Sequence, residues 1–232
     1  MPETRFASVN ELVRDQAIAC GRNPGDVRLI AVSKTVGVST ARCAFDEGAR
    51  DFGENRPEAL CEKAAALPQA HWHFIGNIQS RRIPDIVGSA TLIHSLFKPS
   101  HAEKIQASAF AIGKIQDVLI EVNVSGEESK GGCSTDDALE LVRYCCGMPN
   151  VRVRGLMTMA PQGDADVAHA CFEQLAALKQ DIHGKLNEEY ARSFVELSMG
   201  MSEDWRQAIR AGSTMVRIGR AIFSEAFEDA AI

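Results

Sequence analysis

One lysine stands out among the residues able to do covalent chemistry. In "DVRLIAVSKTVGVST", residues 26–40, Leu29, Ile30, Ala31 and Val32 read as a buried strand, and Lys34 arrives where that strand should end. A lysine so placed commonly lays its stem on apolar surface and keeps its ammonium in water. At the mouth of a barrel the same side chain has a second use. Desolvation there lowers its pKa and frees the amine for Schiff-base chemistry with an aldehyde. The residue alone leaves both readings open. Near the other end, "SMGMSED" at 198–204 and "RIGRA" at 217–221 gather donors suited to an anion. Ser198 and Ser202 supply hydroxyls, Gly200 and Gly219 admit close backbone approach, and Arg217 and Arg220 supply charge-assisted donors. Ser202 is also a plausible helix N-cap with free N–H groups behind it, Glu203 and Asp204 then pointing outward. The pair His71 and His73 can begin a metal site of a hydrolase, but such a site needs ligands from other strand ends. The fifth, sixth and eighth ends offer Asn123, Met157 and Arg217, so no metal is expected. His71 and His73 should share one face of their strand, with one of them, taken here as His73, near a polar ligand. His94 and Ser95 are read as structural hydrogen-bond formers.

Positioning these residues requires a repeated scaffold, and the sequence supplies one. Short apolar, β-rich runs appear at 27–32, 49–53, 71–75, 90–95, 117–124, 151–157, 194–199 and 214–219, with helical periodicity between them. After the fifth run, Ser134 or Thr135 can cap a helix with Ala138, Leu141, Val142 and Cys145 on one stripe. After the sixth, Val167, Cys171, Leu175, Leu178 and Ile182 form another. After the seventh, Trp205, Ala208, Ile209 and Gly212 mark an inward face. A further helix precedes everything, with Val9, Leu12, Val13, Ala17 and Cys20 on its stripe. Eight such units predict an α/β fold, a (β/α)8 TIM barrel with an extra N-terminal helix, as one domain over residues 1–232. The competing doubly wound open sheet would be expected to carry G-x-G-x-x-G after its first strand, and none is present. In a barrel, chemistry sits at the C-terminal strand ends. Those ends carry Lys34, "FGEN" to Asn55, "HFIGNIQ" from His73, "IHS" at 93–95, "EVNVSGEESKGG" at 121–132, "GLMTM" at 155–159, "LSMGMS" at 197–202 and "RIGR" at 217–220. Amides, hydroxyls, glycines and arginines dominate this rim, which suits an anionic polar ligand rather than a hard cation.

Bulk properties exclude other classes. The 232 residues carry a formal charge of -6 with no basic block, which argues against nucleic acid or an anionic membrane as partner. The opening "MPETRFASVN" lacks the features of a signal peptide, and no apolar run approaches the ~20 residues of a membrane helix. The seven cysteines are scattered without C-x-x-C, which points to reduced thiols and a cytoplasmic setting. Cys133 is expected to be inert, and one of Cys145 and Cys146 to face the core.

"AVSKT" at 31–35, "FGEN" at 52–55, "HFIG" at 73–76, "VNVSGEESKGG" at 122–132, "RGLM" at 154–157, "LSMGMSED" at 197–204 and "GSTMVRIGRAIF" at 212–223 occur in the order found in one family. The chain resembles the pyridoxal phosphate homeostasis proteins, relatives of the alanine racemase N-terminal barrel. That resemblance implies pyridoxal 5'-phosphate held as a Schiff base on Lys34. It also implies a phosphate cradled by the "SMGMS" and "RIGR" loops, Arg217 facing the pyridine nitrogen and Asn55 beside the ring. A permanent cation at the ring nitrogen disfavours its protonation and weakens the ring as an electron sink. The chain departs from the family pattern at Arg82, Phe97 and Arg220. Two functions compete: a non-catalytic carrier or buffer of the cofactor that passes it to pyridoxal phosphate-dependent apoenzymes, and an amino-acid racemase. Racemisation needs a base on each face of the substrate. In the two-domain racemases the opposing tyrosine comes from a further C-terminal domain, which a chain ending at Ile232 is expected to lack. Tyr144 and Tyr190 fall in helical segments. A carrier acting as a monomer is the expectation; an interaction protein that signals cofactor occupancy is a weaker third reading.

Overall fold

The computed structural model describes residues 4–127, 131–161 and 163–224. Part of the glycine-rich loop expected after the fifth strand, residues 128–130, therefore lies outside the described residues, as does the expected end of the last helix. Eight strands form at the eight expected places: β1 Arg28–Val32, β2 Asp51–Glu54, β3 His71–Phe74, β4 Leu92–Leu96, β5 Gln116–Glu121, β6 Val151–Met157, β7 Glu196–Ser198 and β8 Met215–Ile218. All neighbours are parallel and the order β1 to β8 is closed. Closure is made by β1 on β8, from Arg28 opposite Met215 to Ala31 opposite Ile218. The helices are α1 Phe6–Ala19, α2 Val38–Asp46, α3 Pro57–Ala66, α4 Ile83–Ser89, α5 Pro99–Ala111, α6 Thr135–Cys146, α7 Ala165–Gly184, α8 Glu188–Ala191, α9 Trp205–Arg210 and α10 Arg220–Phe223.

Strand alternation sorts side chains into two cores. Residues such as Leu29, Ala31, Phe52, Trp72, Phe74, Val216 and Ile218 pack outward against the helices in one continuous cluster. Ile30, Leu92, Leu119, Met157 and Met215 form a separate, smaller cluster inside the barrel. The same parity places Asp51, His73, His94, Glu121, Ser198 and Arg217 on the inward side, so the interior is an apolar plug threaded by polar groups.

Among the described residues, the eighth strand is followed by the four-residue α10, about one turn long, beside the wall of β1 and β8. The N-terminal helix takes up this position: α1 packs against β1, α9 and α10, and its lead-in Arg5 donates from its backbone N–H to the Ile222 carbonyl. Phe6, Val9, Val13 and Ala17 are its buried stripe.

Several local expectations need correction. Leu12 of the α1 stripe is exposed, and so is Val167 of the α7 stripe; Ala168 and Phe172 are buried instead. The rest of the α7 stripe holds, since Cys171, Leu175 and Ile182 are buried and Leu178 is partly buried; Val167 sits in the first turn, where Asp164 accepts the N–H groups of Asp166 and Val167. Ser134 caps α6 as expected, and Ala138, Leu141, Val142 and Cys145 are all buried. Ser202 is not an N-cap. It opens a turn, and α9 begins only at Trp205, with Asp204 at the cap position.

Candidate functional site

A cavity of about 820 Å³ opens at the C-terminal ends of the strands, within the size range of small-molecule sites. Lys34, Asn55, Ser202, Arg217, Gly219 and Arg220 line it, together with Thr35, Asn77, Met157, Met159 and Asp204. Six of the nine predicted site residues thus meet in one place. Lys34 follows β1 by two residues and keeps its inward parity. Its side chain is exposed at the cavity edge rather than in the dry setting expected.

The turn that carries Lys34 is braced from beneath. The Lys63 ammonium, on α3, donates to the Ser33 carbonyl at 2.7 Å and forms a buried ion pair with Glu54. The Ser33 hydroxyl donates to the same Glu54 oxygen at 2.6 Å. The loops after β2 and β3 touch directly, since a Cβ on Gly76 would collide with the backbone of Asn55.

Arg217 forms the floor. It is 4% exposed; its Nη1 donates to Ser198 Oγ at 2.7 Å and its Nη2 to the Thr158 carbonyl at 3.0 Å. Burial lowers its pKa to about 10, opposed by the nearby Asp204 and Glu121 carboxylates, so it remains a cation at neutral pH. Arg220 lines the cavity wall and pairs with Glu203 at 2.7 Å. Asp204 does not point outward as expected. Its Oδ1 accepts the Met201 N–H at 2.5 Å, and burial raises its pKa.

Ser198, Gly200 and His73 do not line this cavity. Ser198 is fully buried, and its hydroxyl is engaged with Arg217 and, at 2.8 Å, with His94 Nδ1. Gly200 has φ +95°, and a Cβ there would lie 2.6 Å from Ala208 Cβ. This glycine lets α9 approach β7, whatever the ligand. His73 points along the barrel axis, hydrogen-bonded to His94 at 2.9 Å and to Asp51 at 3.0 Å. His71 also faces Asp51, so the two histidines do share a face. Ser95 donates to the Gly76 carbonyl, the structural role expected. No group of three or more metal-ligating side chains occurs among the described residues.

The residues that sequence reasoning missed are Glu121, Thr158 and the Glu54–Lys63 pair. Glu121 ends β5 beside Gly131, its Oε2 without a partner, and burial raises its pKa to about 6. Its inward parity with Leu119 was the available signal. Cys133 is half-buried, with a thiol pushed up to about 11 by burial, in keeping with an inert role. Cys145 is the member of its pair that is buried.

The family described as "Alanine racemase, N-terminal domain" matches residues 16–226. A pyridoxal phosphate homeostasis protein of Aquifex aeolicus is 39% identical over 225 residues, covering 95% of this chain and 96% of that one. The chain belongs to this family. A human pyridoxal phosphate homeostasis protein is 35% identical, covering 94% of this chain and 84% of its own. Among solved structures, PipY of Synechococcus elongatus with pyridoxal phosphate bound superposes with a TM-score of 0.79 at 30% identity, covering 91% of this chain and 100% of that one. Pyridoxal phosphate homeostasis proteins thus match this chain over nearly its full length, and the fold is shared with PipY.

Proposed function

We propose that this protein binds pyridoxal 5'-phosphate in the cavity at the strand ends, holds it on Lys34 and acts as a non-catalytic carrier or buffer of the cofactor. The observation that carries this reading is the convergence of an accessible lysine amine and a buried arginine on one cavity, in a chain whose relative PipY is known with pyridoxal phosphate bound. The donor set fits the group. When bound, the cofactor supplies an aldehyde, a pyridine ring and a phosphate dianion. Lys34 would supply the amine for the first, and Arg217 on the floor and Asn55 on the wall would hold the second. The Ser202 turn and the Gly219 bend, with Arg220, offer hydroxyl, backbone and guanidinium donors to the third.

A ring nitrogen held against Arg217 would lie beside a cation, which would disfavour its protonation and restrain carbanion chemistry. The cavity lining includes no tyrosine, histidine or cysteine among the described residues. Tyr144 lies on α6 with its hydroxyl on Glu103, and Tyr190 lies on α8. These placements support a carrier over a racemase. An exposed lysine at an open edge also suits a cofactor that must be released to apoenzymes. The free thiols of Cys20, Cys43, Cys61, Cys133, Cys145 and Cys146 support a reducing, cytoplasmic setting, and the reading takes the protein as a monomer. No helix among the described residues is long and apolar enough to cross a membrane.

The test is borohydride reduction of the loaded protein followed by intact-mass measurement. Wild type should gain one pyridoxyl mass and Lys34→Ala none, with stability unchanged within about 0.5 kcal/mol because the side chain is exposed. A normal adduct in Lys34→Ala would refute the lysine assignment. For the carrier role, the loaded protein is incubated with each L-amino acid in D2O; turnover-level exchange of Cα–H with any of them would overturn it.

A further inference from the structure

A chain of hydrogen bonds runs through the barrel interior from one mouth to the other. At the N-terminal mouth a small cavity of about 150 Å³ is lined by Asp51, His71, His73, Arg28 and Asp117, among others. From it, Asp51 Oδ1 contacts His73 Nε2 at 3.0 Å, and His73 Nδ1 contacts His94 Nε2 at 2.9 Å. His94 Nδ1 contacts Ser198 Oγ at 2.8 Å, and Ser198 Oγ contacts Arg217 Nη1 at 2.7 Å. His73, His94, Ser198 and Arg217 are all buried. Five residues on β2, β3, β4, β7 and β8 therefore connect the far mouth to the floor of the cofactor cavity.

The two ends fix every proton between them. A guanidinium only donates, so Ser198 Oγ accepts from Arg217. An ionised carboxylate only accepts, so His73 Nε2–H donates to Asp51. With neutral rings, His73 Nδ1 must then accept from His94 Nε2–H, and His94 Nδ1 must accept from the Ser198 hydroxyl. One arrangement satisfies all four contacts, and its donors all point from Arg217 toward Asp51.

The surrounding charges favour that arrangement. Burial lowers the pKa of His73 against the pull of Asp51, with Arg28 and His71 adding to the lowering. Burial also lowers His94, helped by His73, Arg217 and Arg28. Burial works to raise Asp51, but its hydrogen bond to His73 and the charges of His73, His71 and Arg28 hold it below the ordinary value. Asp204 and Glu121 are the acidic groups acting on Arg217. An added proton on His73 would turn its Nδ1 into a donor, reverse the His94 tautomer and leave the Ser198 hydroxyl without its acceptor.

We propose that Asp51, His73, His94 and Ser198 are positioning residues that lock the orientation of the Arg217 guanidinium on the cavity floor and transmit to it the charge state of Asp51 at the opposite barrel mouth. With Nη1 committed to Ser198 and Nη2 to Thr158, three of the five N–H groups of Arg217 remain to face a ligand. The effect on the cofactor rests on the binding reading above; the proton order of the chain does not.

The decisive measurement is long-range ¹H–¹⁵N NMR of the histidine side chains, recorded without and with added pyridoxal phosphate. Both His73 and His94 should be neutral Nε2–H tautomers between pH 6 and 8. In Asp51→Asn, which removes the charge and offers an NH2 donor as well as a carbonyl acceptor, the tautomers should mix. The pH midpoint of the bound cofactor's absorption band should also move by at least about half a unit. Ser198→Ala should shift that midpoint as well, while Asp117→Asn, a carboxylate at the same mouth outside the chain, should change neither signal. A protonated or Nδ1–H His94 in the wild type would overturn the relay, as would an Asp51→Asn protein that binds cofactor with tautomers and midpoint unchanged. A wild type with both Nε2–H tautomers but no trapped cofactor would support the chain and sink only the binding reading.

Discussion

Glu121 is the residue whose environment is least comfortable. It is buried at the end of β5 with one carboxylate oxygen unpartnered, and burial moves its pKa from 4.5 to about 6 despite Arg217. The native state therefore binds the proton more tightly than the unfolded chain does. This group costs nothing below about pH 4.5, and its penalty grows as pH rises through the folded value. A shift of that size is on the order of 2 kcal/mol of stability lost by neutral pH. Glu121→Gln should recover about 1–2 kcal/mol at pH 7.5 and nothing at pH 4, measured by urea unfolding across that range. Equal effects at both pH values would show that the carboxyl is not desolvated. Lys34 presents the opposite case: a residue expected in a dry mouth is exposed, and its use rests on the company it keeps.

Among the elements, the segment joining β1 to α2 depends on α3. Lys63→Met would remove the cation that holds both the Ser33 carbonyl and the Glu54 carboxylate. A buried charge left alone costs about 3–5 kcal/mol, and the trapping of cofactor on Lys34 should fall with it. Adding Glu54→Leu to that variant should restore most of the stability, as read from urea midpoints, but not the placement of the turn. The extent to which the elements were legible follows from range. Eight β-rich runs are local patterns, and all eight became strands. The α6 stripe and its Ser134 cap were equally local. The partners of Ser198 were not: His94 lies 104 residues away, and only barrel closure puts the two side by side. The hydroxyl expected on an anion was accordingly already committed to His94 and Arg217. Asp204 was misplaced for a related reason, since a three-residue turn before Trp205 turns its carboxylate back onto the Met201 N–H. Glu121 could have been found from parity, because it shares the inward side of its strand with Leu119.

For the whole molecule, α1 covers the wall where the barrel closes, packing on β1, α9 and α10. Burial of Phe6, Val9 and Val13 is worth roughly 5–9 kcal/mol, comparable with the ~5–15 kcal/mol stability of an ordinary domain. Deleting residues 1–20 should therefore give a chain that loses its near-ultraviolet circular dichroism and binds the dye ANS; a truncated protein with a native cooperative melt would contradict this. The same arrangement has a consequence for biosynthesis. One edge of β1 can pair with β2 as soon as both are made, but its other edge must wait for β8, and α1 waits likewise for α9 and α10. At ~5–20 residues per second that delay is on the order of 10–40 s, during which a half-paired β1 and a partly uncovered apolar helix face are open to chaperones or to other nascent chains.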